Sequence, residues 1–257
     1  MHNAAFAEVG LDLVYVAFDV CETDLPSAID GLRSLGFVGA NITLPHKESV
    51  VPLLDETDEL ATTIGAVNTI VVDRGRLRGY NTDAQGFLRA LERGWGRGPD
   101  GARCLVLGAG GAARAIVAAL VHAQAAEVVV HNRTAARARR LCADAATWSS
   151  VPVRAIEPEE LGRVAARADL IVNATSVGLD RTFKAIPLPV DMVKDSHVVM
   201  DVVYSDSMTP LLEAAHGRGA TVIEGTEMLV QQACLAYELW TGRIAPVHLF
   251  RNKASSD

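Results

Sequence analysis

The stretch Arg103-Cys104-Leu105-Val106-Leu107-Gly108-Ala109-Gly110-Gly111-Ala112-Ala113 decides the fold class of this chain. Its first five residues have the pattern of a buried strand, and an apolar helical segment over 112–123 follows the glycines. The turn between them fits Gly-x-Gly-x-x-Ala, in which glycines let a pyrophosphate approach the helix N-terminus closely. An ordinary glycine-rich turn is the alternative. The flanking elements favour a nucleotide-binding βαβ unit, whose contact residues would be Gly108, Ala109, Gly110, Gly111 and Ala112.

Strands and helices alternate along the rest of the chain. The sequence predicts helices over 26–34, 46–54 and 82–93, and strands over 13–20, 39–43, 127–131, 170–173, 198–202 and 221–223. It also predicts a hairpin that joins 66–73 to 76–80 through Arg74-Gly75. Strands separated by helices indicate a parallel sheet covered on both faces. The glycine-rich segment 94–101 is a candidate domain boundary.

The residues after the strand over 127–131 indicate which nucleotide binds. An NAD site usually places Asp or Glu there, to hold the ribose 2′-hydroxyl. This chain has Asn132-Arg133-Thr134 instead, followed by Arg137. Guanidinium, hydroxyl and amide groups suit a 2′-phosphate, and no carboxylate repels it. The alternative is a solvated basic helix that includes Arg139 and Arg140. The pattern favours NADP(H) over NAD(H).

A single lysine marks the candidate catalytic site. In Asn41-Ile42-Thr43-Leu44-Pro45-His46-Lys47, the lysine follows a proline turn at the predicted start of helix 46–54. The positive end of a helix disfavours a cation, which together with partial burial would suit Lys47 to proton transfer. A solvated lysine is the alternative. The catalytic interpretation is favoured because the chain also contains Asn68, Asp83, the glycine-rich loop and Gln232.

Composition excludes several classes of function. The chain has 257 residues, of which 49% are hydrophobic, and its formal net charge of -7 argues against nucleic-acid binding. The four cysteines are scattered without a Cys-x-x-Cys motif, which predicts reduced thiols in a cytoplasmic protein without a metal site. The richest apolar stretch, 105–123, is interrupted by glycines and Arg114, so it is not expected to span a membrane.

Together these motifs resemble those of the shikimate dehydrogenase family over essentially the full chain. The matching stretches are 2–6, 41–47, 65–69, 79–83, 108–113, 132–134, 173–178, 201–204 and 228–232. The resemblance implies an α/β fold with two domains. A substrate-binding and catalytic domain would comprise 1–83 and 227–257, and a Rossmann-type NADP-binding domain 84–226, with the substrate bound in the cleft. It also implies reversible reduction of 3-dehydroshikimate to shikimate by NADPH, in chorismate and aromatic amino-acid biosynthesis, by a monomer or homodimer.

The resemblance further implies roles for individual residues. Lys47 and Asp83 match the family's catalytic pair, although Asp83 is also a candidate N-cap of the following helix. Substrate contacts are implied for Thr43, Asn68, Tyr204 and Gln232. Further cofactor contacts, beyond the glycine-rich loop, are implied for Asn132, Arg133, Thr134, Arg137, Thr175, Ser176, Val202 and Gly225. Each of these substrate and cofactor contacts has a structural alternative, in which the residue is only a turn, strand-end, core-tyrosine or helix-surface residue.

One departure from the family pattern concerns the beginning of the sequence. Family members carry a first strand and a loop with two serines before the His-Asn-x-Ala-Phe segment, whereas this sequence begins Met1-His2-Asn3-Ala4-Ala5-Phe6. We therefore expect weak anchoring of the substrate carboxylate and an unpaired edge along 13–20. Two alternatives stay open: a quinate or quinate/shikimate dehydrogenase, and a catalytically impaired relative that binds NADPH.

Overall fold

In a computed structural model, the described residues 1–43, 45–178, 186–204 and 207–254 belong to two units. Unit 1 comprises 1–86 and 230–257, and unit 2 comprises 87–229. These limits lie three residues beyond the 83 and 227 that the resemblance implies. The candidate boundary at 94–101 is wrong, because this segment lies inside unit 2. Its Gly96 and Gly101 have positive φ, so it forms turns within the unit.

Unit 1 is built on a four-stranded sheet with the order β1-β3-β4-β2. The strands are β1 (Gly39–Asn41), β2 (Glu56–Thr57), β3 (Thr69–Asp73) and β4 (Arg76–Tyr80). The predicted hairpin is confirmed: β3 and β4 are antiparallel. Arg74 and Gly75 both have positive φ, as the favoured two-residue hairpin turns require.

Helices contribute to both apolar clusters of unit 1. They are α1 (His2–Glu8), α2 (Leu25–Ser34), α3 (Glu59–Ile64) and α4 (Thr82–Trp95), the last of which continues into unit 2. The chain returns from unit 2 through α9 (Gly225–Thr241) and ends its described part with α10 (Val247–Ala254). An aromatic cluster joins α1, α9 and α10, with His2, Phe6, Tyr237, Trp240 and Phe250 in ring contact.

Unit 2 contains a six-stranded parallel sheet with the order β10-β9-β8-β5-β6-β7. The strands are β5 (Arg103–Leu107), β6 (Glu127–His131), β7 (Val153–Ala155), β8 (Leu170–Asn173), β9 (Val198–Asp201) and β10 (Thr221–Glu224). The intervening helices are α5 (Gly111–His122), α6 (Ala135–Ala145), α7 (Leu161–Ala165) and α8 (Pro210–Gly217). Counted from β5, the order is 3-2-1-4-5-6, the arrangement of dinucleotide-binding sheets, so the predicted parallel α/β fold is confirmed.

The strand predicted over 13–20 is wrong. The segment is extended, and its side chains alternate between packed (Leu13, Tyr15) and exposed (Val14, Val16), but no ladder pairs it with another described strand. Its backbone groups bond to side chains instead: those of Tyr15 to Asn3, and the carbonyl of Val20 to Nε2 of His46, 2.8 Å away. Alternation indicates an extended chain, whereas a strand also needs a neighbour with which to share hydrogen bonds.

The helix predicted over 46–54 is also wrong. Residues 45–50 form turns, and a short 3₁₀ helix follows at Val51–Leu53. Pro52 has no N–H to donate to the carbonyl of Glu48 and disfavours helical geometry at Val51. The chain instead places the N–H of Val51 3.3 Å from the carbonyl oxygen of Glu48, a 3₁₀ bond. Lys47 therefore lies in a turn and not at the start of a helix, and the expected effect of a helix terminus on it is wrong.

Candidate functional site

Lys47 and Asp83 form the central ion pair of unit 1. The Nζ atom of Lys47 lies 2.6 Å from Oδ2 of Asp83, and the two side chains are 28% and 21% exposed. The pair is thus shielded on most sides but remains open to a small ligand. A partly desolvated ammonium with a fixed carboxylate neighbour can donate a hydrogen bond to an oxygen on which negative charge develops.

Asp83 is not the N-cap of α4. The carbonyl oxygen of the Asn81 side chain, at 3.2 Å, accepts the N–H of Ala84, so Asn81 performs this role. Asp83 lies in the first turn of the helix, where its negative charge is favoured by the helix dipole. Its carboxylate is consequently available to Lys47, and the capping interpretation of Asp83 is wrong.

Hydrogen bonds to main-chain carbonyls hold together the two segments that carry Lys47 and Asp83. The N–H of Val67 donates to the carbonyl of Lys47 at 2.8 Å, and the Asn81 side chain donates to the carbonyl of Ala66 at 3.0 Å. The segment 65–69 therefore contacts both the turn that carries Lys47 and the residue that caps α4. The ion pair results from these contacts as well as from the attraction between its charges.

Asn68 lies at the centre of a buried polar network. Its Oδ1 accepts the N–H of Thr82 at 2.7 Å and lies 3.2 Å from the hydroxyl of Thr69, and its Nδ2 donates to the Thr82 hydroxyl at 3.0 Å. Asn41 joins this network through Thr69, and Tyr15 joins through Asn41. Sequence reasoning missed Tyr15, Asn41 and Thr82, because no local pattern shows that they meet.

The other residues implied to contact substrate have different surroundings. Gln232 is partly buried on α9, where α4 passes so closely that a Cβ on Gly86 would lie 2.8 Å from the backbone nitrogen of Gln232. Thr43 is exposed, and its carbonyl accepts the N–H of His46 at 2.9 Å. Tyr204 belongs to unit 2, where it is 59% exposed.

In unit 2, the glycine-rich loop joins β5 to α5. Gly108 has a φ of +118°, and a Cβ there would lie 2.7 Å from the carbonyl oxygen of Ala174, so glycine is needed for packing as well as for the turn. Gly110 and Gly111 face open space, where an added Cβ meets no described atom. No side chain caps α5, so its first N–H groups are directed at this opening, as in sites that bind phosphate.

The residues after β6 provide positive charge at the same edge of the sheet. Arg133 and Arg137 are exposed, and neither has a carboxylate partner in the described ranges, whereas Arg139 pairs with Glu157. Thr134 is the N-cap residue of α6, yet its side chain makes no capping bond. The amide of Asn132 donates to the Thr134 carbonyl at 3.0 Å. Two guanidiniums and a hydroxyl are therefore available to an anion.

The loops after β8 and β9 are held by a buried carboxylate. Oδ1 of Asp201 accepts from Asn173 at 2.8 Å and from the N–H of Val203 at 3.1 Å, and Oδ2 accepts from the Thr209 hydroxyl at 2.6 Å. Burial raises the pKa of Asp201 above its usual range, against the opposing effect of these bonds. Asp201 was not among the expected site residues, since its role depends on contacts distant in sequence.

Two expected cofactor residues, Thr175 and Gly225, also have structural roles in this region. The hydroxyl of Thr175 donates to the Asn173 side chain at 2.7 Å and accepts the N–H of Val177, which is the turn considered as its alternative. Ser176 is exposed beside it. Gly225 begins α9 so close to Val202 that a Cβ would lie 2.7 Å from the Val202 carbonyl oxygen. Glycine is therefore required there by packing alone.

The residues present fit NADP(H). They supply an uncapped helix N-terminus for the pyrophosphate and, for a 2′-phosphate, two arginines that lack a carboxylate partner in the part of the chain that the structure describes. The loops from β5, β6, β8 and β9 all follow the carboxyl ends of parallel strands, the edge at which such sheets bind nucleotides. Among the described residues, no group of three or more metal-ligating side chains is present, and no helix is long and apolar enough to cross a membrane.

Family comparisons agree with this arrangement. The family described as shikimate dehydrogenase substrate binding domain matches residues 1–70, shikimate / quinate 5-dehydrogenase matches 96–181, and the shikimate 5'-dehydrogenase C-terminal domain matches 225–254. The shikimate dehydrogenase (NADP(+)) of Methanopyrus kandleri is 47% identical over 254 residues, which cover 98% of this chain and 88% of that protein.

Solved structures give the same result. The shikimate 5-dehydrogenase of Listeria monocytogenes, in complex with shikimate and NAD, has a TM-score of 0.93 at 33% identity and covers 98% of this chain and 89% of its own. The shikimate 5-dehydrogenase of Thermus thermophilus, in complex with NADP(H) and shikimate, has a TM-score of 0.87 at 39% identity. The match covers 99% of this chain and 92% of that chain. A quinate dehydrogenase of Corynebacterium glutamicum, in complex with NAD, has a TM-score of 0.91 at 34% identity. The match covers 100% of this chain and 93% of that chain. This chain belongs to the shikimate dehydrogenase family.

Proposed function

We propose that this protein is an NADP-dependent oxidoreductase that interconverts 3-dehydroshikimate and shikimate. Unit 1 would bind the substrate and supply the catalytic groups, and unit 2 would bind NADP(H). The observation that carries the proposal is the 2.6 Å contact between Lys47 Nζ and Asp83 Oδ2 in a chain of this family. It supplies a proton donor and a carboxylate that orients it, as carbonyl reduction requires.

The chemistry of the residues follows from charge. When bound, NADPH supplies a hydride to the ring carbonyl carbon, whose oxygen then needs a proton. The Lys47 ammonium donates a hydrogen bond to this oxygen, stabilises the developing negative charge and transfers a proton to it. Asp83 holds the ammonium in place through the 2.6 Å contact. Shikimate oxidation is the reverse reaction, in which the neutral Lys47 amine accepts the hydroxyl proton and becomes the ammonium.

The remaining substrate contacts are proposed from position. Asn68 donates one Nδ2 hydrogen to Thr82 and has a second for a ring hydroxyl of the substrate. Gln232 is proposed to contact the substrate beside Asp83, because α9 packs on α4 at Gly86, within one turn of Asp83. Thr43 and Tyr204, which are both exposed, are proposed as outer contacts.

Lys47→Ala tests the function. With wild-type protein, we expect shikimate-dependent reduction of NADP⁺, followed by absorbance at 340 nm. Lys47→Ala should lower kcat by about 10² to 10⁴ and leave NADPH affinity unchanged. Lys253→Ala, which removes an exposed lysine of the same unit, is the matched control and should retain full activity. Full activity in Lys47→Ala would exclude the proposed proton transfer.

The cofactor preference is proposed to depend on the arginines after β6. Arg133 and Arg137, with the Thr134 hydroxyl, would bind the 2′-phosphate, which NADH lacks. A hydrogen bond to a charged group contributes about 1.5–3 kcal/mol, so we expect Arg133→Ala to lower the preference for NADPH about tenfold or more. Arg139→Ala, whose guanidinium pairs with Glu157, is the control. Equal fluorescence-titration affinities of the wild type for NADPH and NADH would refute the assignment.

Quinate oxidation is the second candidate function. It is favoured by the similarity to the quinate dehydrogenase, which has a TM-score of 0.91 at 34% identity. Parallel measurement of kcat/KM with shikimate and quinate decides between the two. A purely NADPH-binding role is less well supported, because the Lys47–Asp83 pair is formed.

We also propose that the protein acts in the cytoplasm as a monomer or homodimer. The compartment is supported by the four cysteines, all of which are free thiols. Light scattering of the purified protein measures the assembly, and a larger oligomer would contradict the proposal.

A further inference from the structure

The hydroxyl of Tyr15 is directed at the polar network around Asn68. It donates a 3.0 Å hydrogen bond to Oδ1 of Asn41. Since Oδ1 receives the phenol proton, the Asn41 amide has its Nδ2 on the opposite side, where it donates to the Asn68 carbonyl at 3.2 Å and to the Thr69 hydroxyl at 3.1 Å. The phenol and the Asn68 main-chain carbonyl therefore together favour one orientation of this amide.

The direction of the bonds continues from Asn41 to Asn68. Because the Thr69 oxygen accepts from Asn41, its own hydrogen is available to Oδ1 of Asn68, 3.2 Å away, or to the Thr82 hydroxyl, 3.0 Å away. The N–H of Thr82 donates to the same Oδ1 at 2.7 Å. The Thr82 N–H, and the Thr69 hydroxyl when it donates to Oδ1, favour the Asn68 orientation in which Nδ2 donates to the Thr82 hydroxyl.

Tyr15 is itself held rigidly. Its ring stacks on His2 with centroids 4.6 Å apart and lies 6.0 Å from the ring of Trp240. Its backbone N–H and carbonyl both bond to the Asn3 side chain, at 2.6 and 2.8 Å. Burial raises the pKa of Tyr15, so the phenol stays protonated and remains a donor at neutral pH. A fixed donor of this kind is suited to orienting a neighbouring amide.

We propose that Tyr15 is a positioning residue that, acting through Asn41, fixes the Asn68 amide for hydrogen bonding to substrate hydroxyls. The inference rests on the proposed function, in which Asn68 contacts the substrate. Tyr15 touches neither the substrate nor the cofactor in this scheme. Its hydroxyl should therefore affect substrate use without affecting the cofactor.

Tyr237 offers a matched control. It belongs to the same aromatic cluster, with its ring 5.7 Å from that of Phe6, but its buried hydroxyl has no hydrogen-bond partner among the described residues. Tyr15→Phe and Tyr237→Phe remove the same atom from the same part of unit 1. Only the first removal takes away a bond to the Asn68 network.

The kinetic experiment compares these variants. Tyr15→Phe should lower kcat/KM for shikimate about tenfold, since it leaves a polar acceptor without its donor, and should not change KM for NADP⁺. Tyr237→Phe should match the wild type. Because Tyr15 acts through Asn41, adding Tyr15→Phe to Asn41→Ala should cause no further loss. Full additivity, or equal kinetics of the two Tyr→Phe variants, would overturn the proposal.

A second readout does not need turnover. In amide NMR spectra, the side-chain NH₂ resonances of Asn41 and Asn68 should both move in Tyr15→Phe and stay in place in Tyr237→Phe. An unmoved Asn68 resonance in Tyr15→Phe would refute the positioning role whatever the activity. If wild-type protein oxidised neither shikimate nor quinate, the proposed function would fail, whereas the NMR result would still decide whether Tyr15 orients Asn68.

Discussion

At the scale of single residues, the role of Asp83 depends on which residue caps α4. The sequence Asn81-Thr82-Asp83 offers several polar side chains at a helix start, and any of them suits an N-cap. The structure assigns the cap to Asn81, which leaves the Asp83 carboxylate on Lys47. Capping and charge pairing are thus carried by different residues and can be changed separately.

Asp83→Asn should damage catalysis more than stability. The variant keeps the Asn81 cap and loses an ion pair of partly exposed groups, so we expect less than about 1 kcal/mol of lost stability. Without the carboxylate, the Lys47 side chain is no longer held in position, and kcat should fall by about 10². Asn81→Ala removes the cap instead, so its main effect should be a loss of about 0.5–2 kcal/mol in the free energy of unfolding. Unchanged kcat in Asp83→Asn would show that the pair is only structural.

The site was partly predictable at this scale. Lys47 and Asp83 could be proposed because each lies in a short motif that resembles the family. Asn41 and Thr82 lie in the same motifs, but their hydrogen bonds to the Asn68 and Thr69 side chains depend on how β1 and β4 pair with β3. Tyr15 lies in a segment without any motif. Contacts that depend on tertiary packing leave no periodic signal in a sequence.

At the scale of elements, the contact between α4 and α9 determines where Gln232 lies. Two helices approach this closely only where a residue without a Cβ faces the partner backbone, and Gly86 has that role. Gly31 in the middle of α2 is different: a Cβ there meets only Leu35 Cδ1 at 3.7 Å, an ordinary contact. The two helical glycines therefore form a natural comparison.

Gly86→Ala and Gly31→Ala should change stability in opposite directions. Alanine favours a helix over glycine by about 0.8–1 kcal/mol, so Gly31→Ala should stabilise the protein by roughly this amount. Gly86→Ala should destabilise it by about 1–3 kcal/mol through overpacking, and should weaken shikimate binding by displacing Gln232. Thermal unfolding and shikimate titration measure both effects. Stabilisation by Gly86→Ala would mean that α4 and α9 separate without cost.

Elements were predictable where local pattern and tertiary role agree. Strands β5 and β6 lie where the sequence predicts them, because buried parallel strands are continuous apolar runs between glycines and polar turns. The predictions failed at 46–54, where Pro52 interrupts a helix-like apolar pattern, and at 13–20, where alternation occurs without a neighbouring strand. In both places a nonlocal or single-residue constraint outweighed the periodicity.

At the scale of the whole molecule, the response to acid should depend on His2. This side chain is enclosed by aromatic rings, with Tyr15 at 4.6 Å, Trp240 at 5.1 Å and Phe250 at 5.3 Å. Its Nδ1 has no partner among the described residues. Burial, with a smaller effect of the nearby amino terminus, lowers the pKa of His2 from 6.5 to about 4. The folded protein therefore excludes a proton that the unfolded chain binds.

The sign of the effect follows from this difference. Above pH 6.5 neither state is protonated at His2, and its contribution to stability is fully present. Between pH 6.5 and about 4 the unfolded chain alone gains the proton, so stability falls as pH falls. From pH 7 to pH 4.5 the loss should be about 2–3 kcal/mol, at 1.36 kcal/mol per pKa unit. His2→Phe keeps an aromatic ring and removes this term.

Urea unfolding at pH 7 and pH 4.5 measures the difference. Trp240 contacts His2, so fluorescence in a background of Trp95→Phe and Trp148→Phe reports on unit 1, as is needed where two units need not unfold together. Carboxylates contribute to acid destabilisation in every variant, and only the excess in the wild type over His2→Phe belongs to His2. His248→Phe, which replaces an exposed histidine of the same unit, should retain the full pH dependence. Equal losses in the wild type and His2→Phe would show that His2 takes up its proton without unfolding the aromatic cluster.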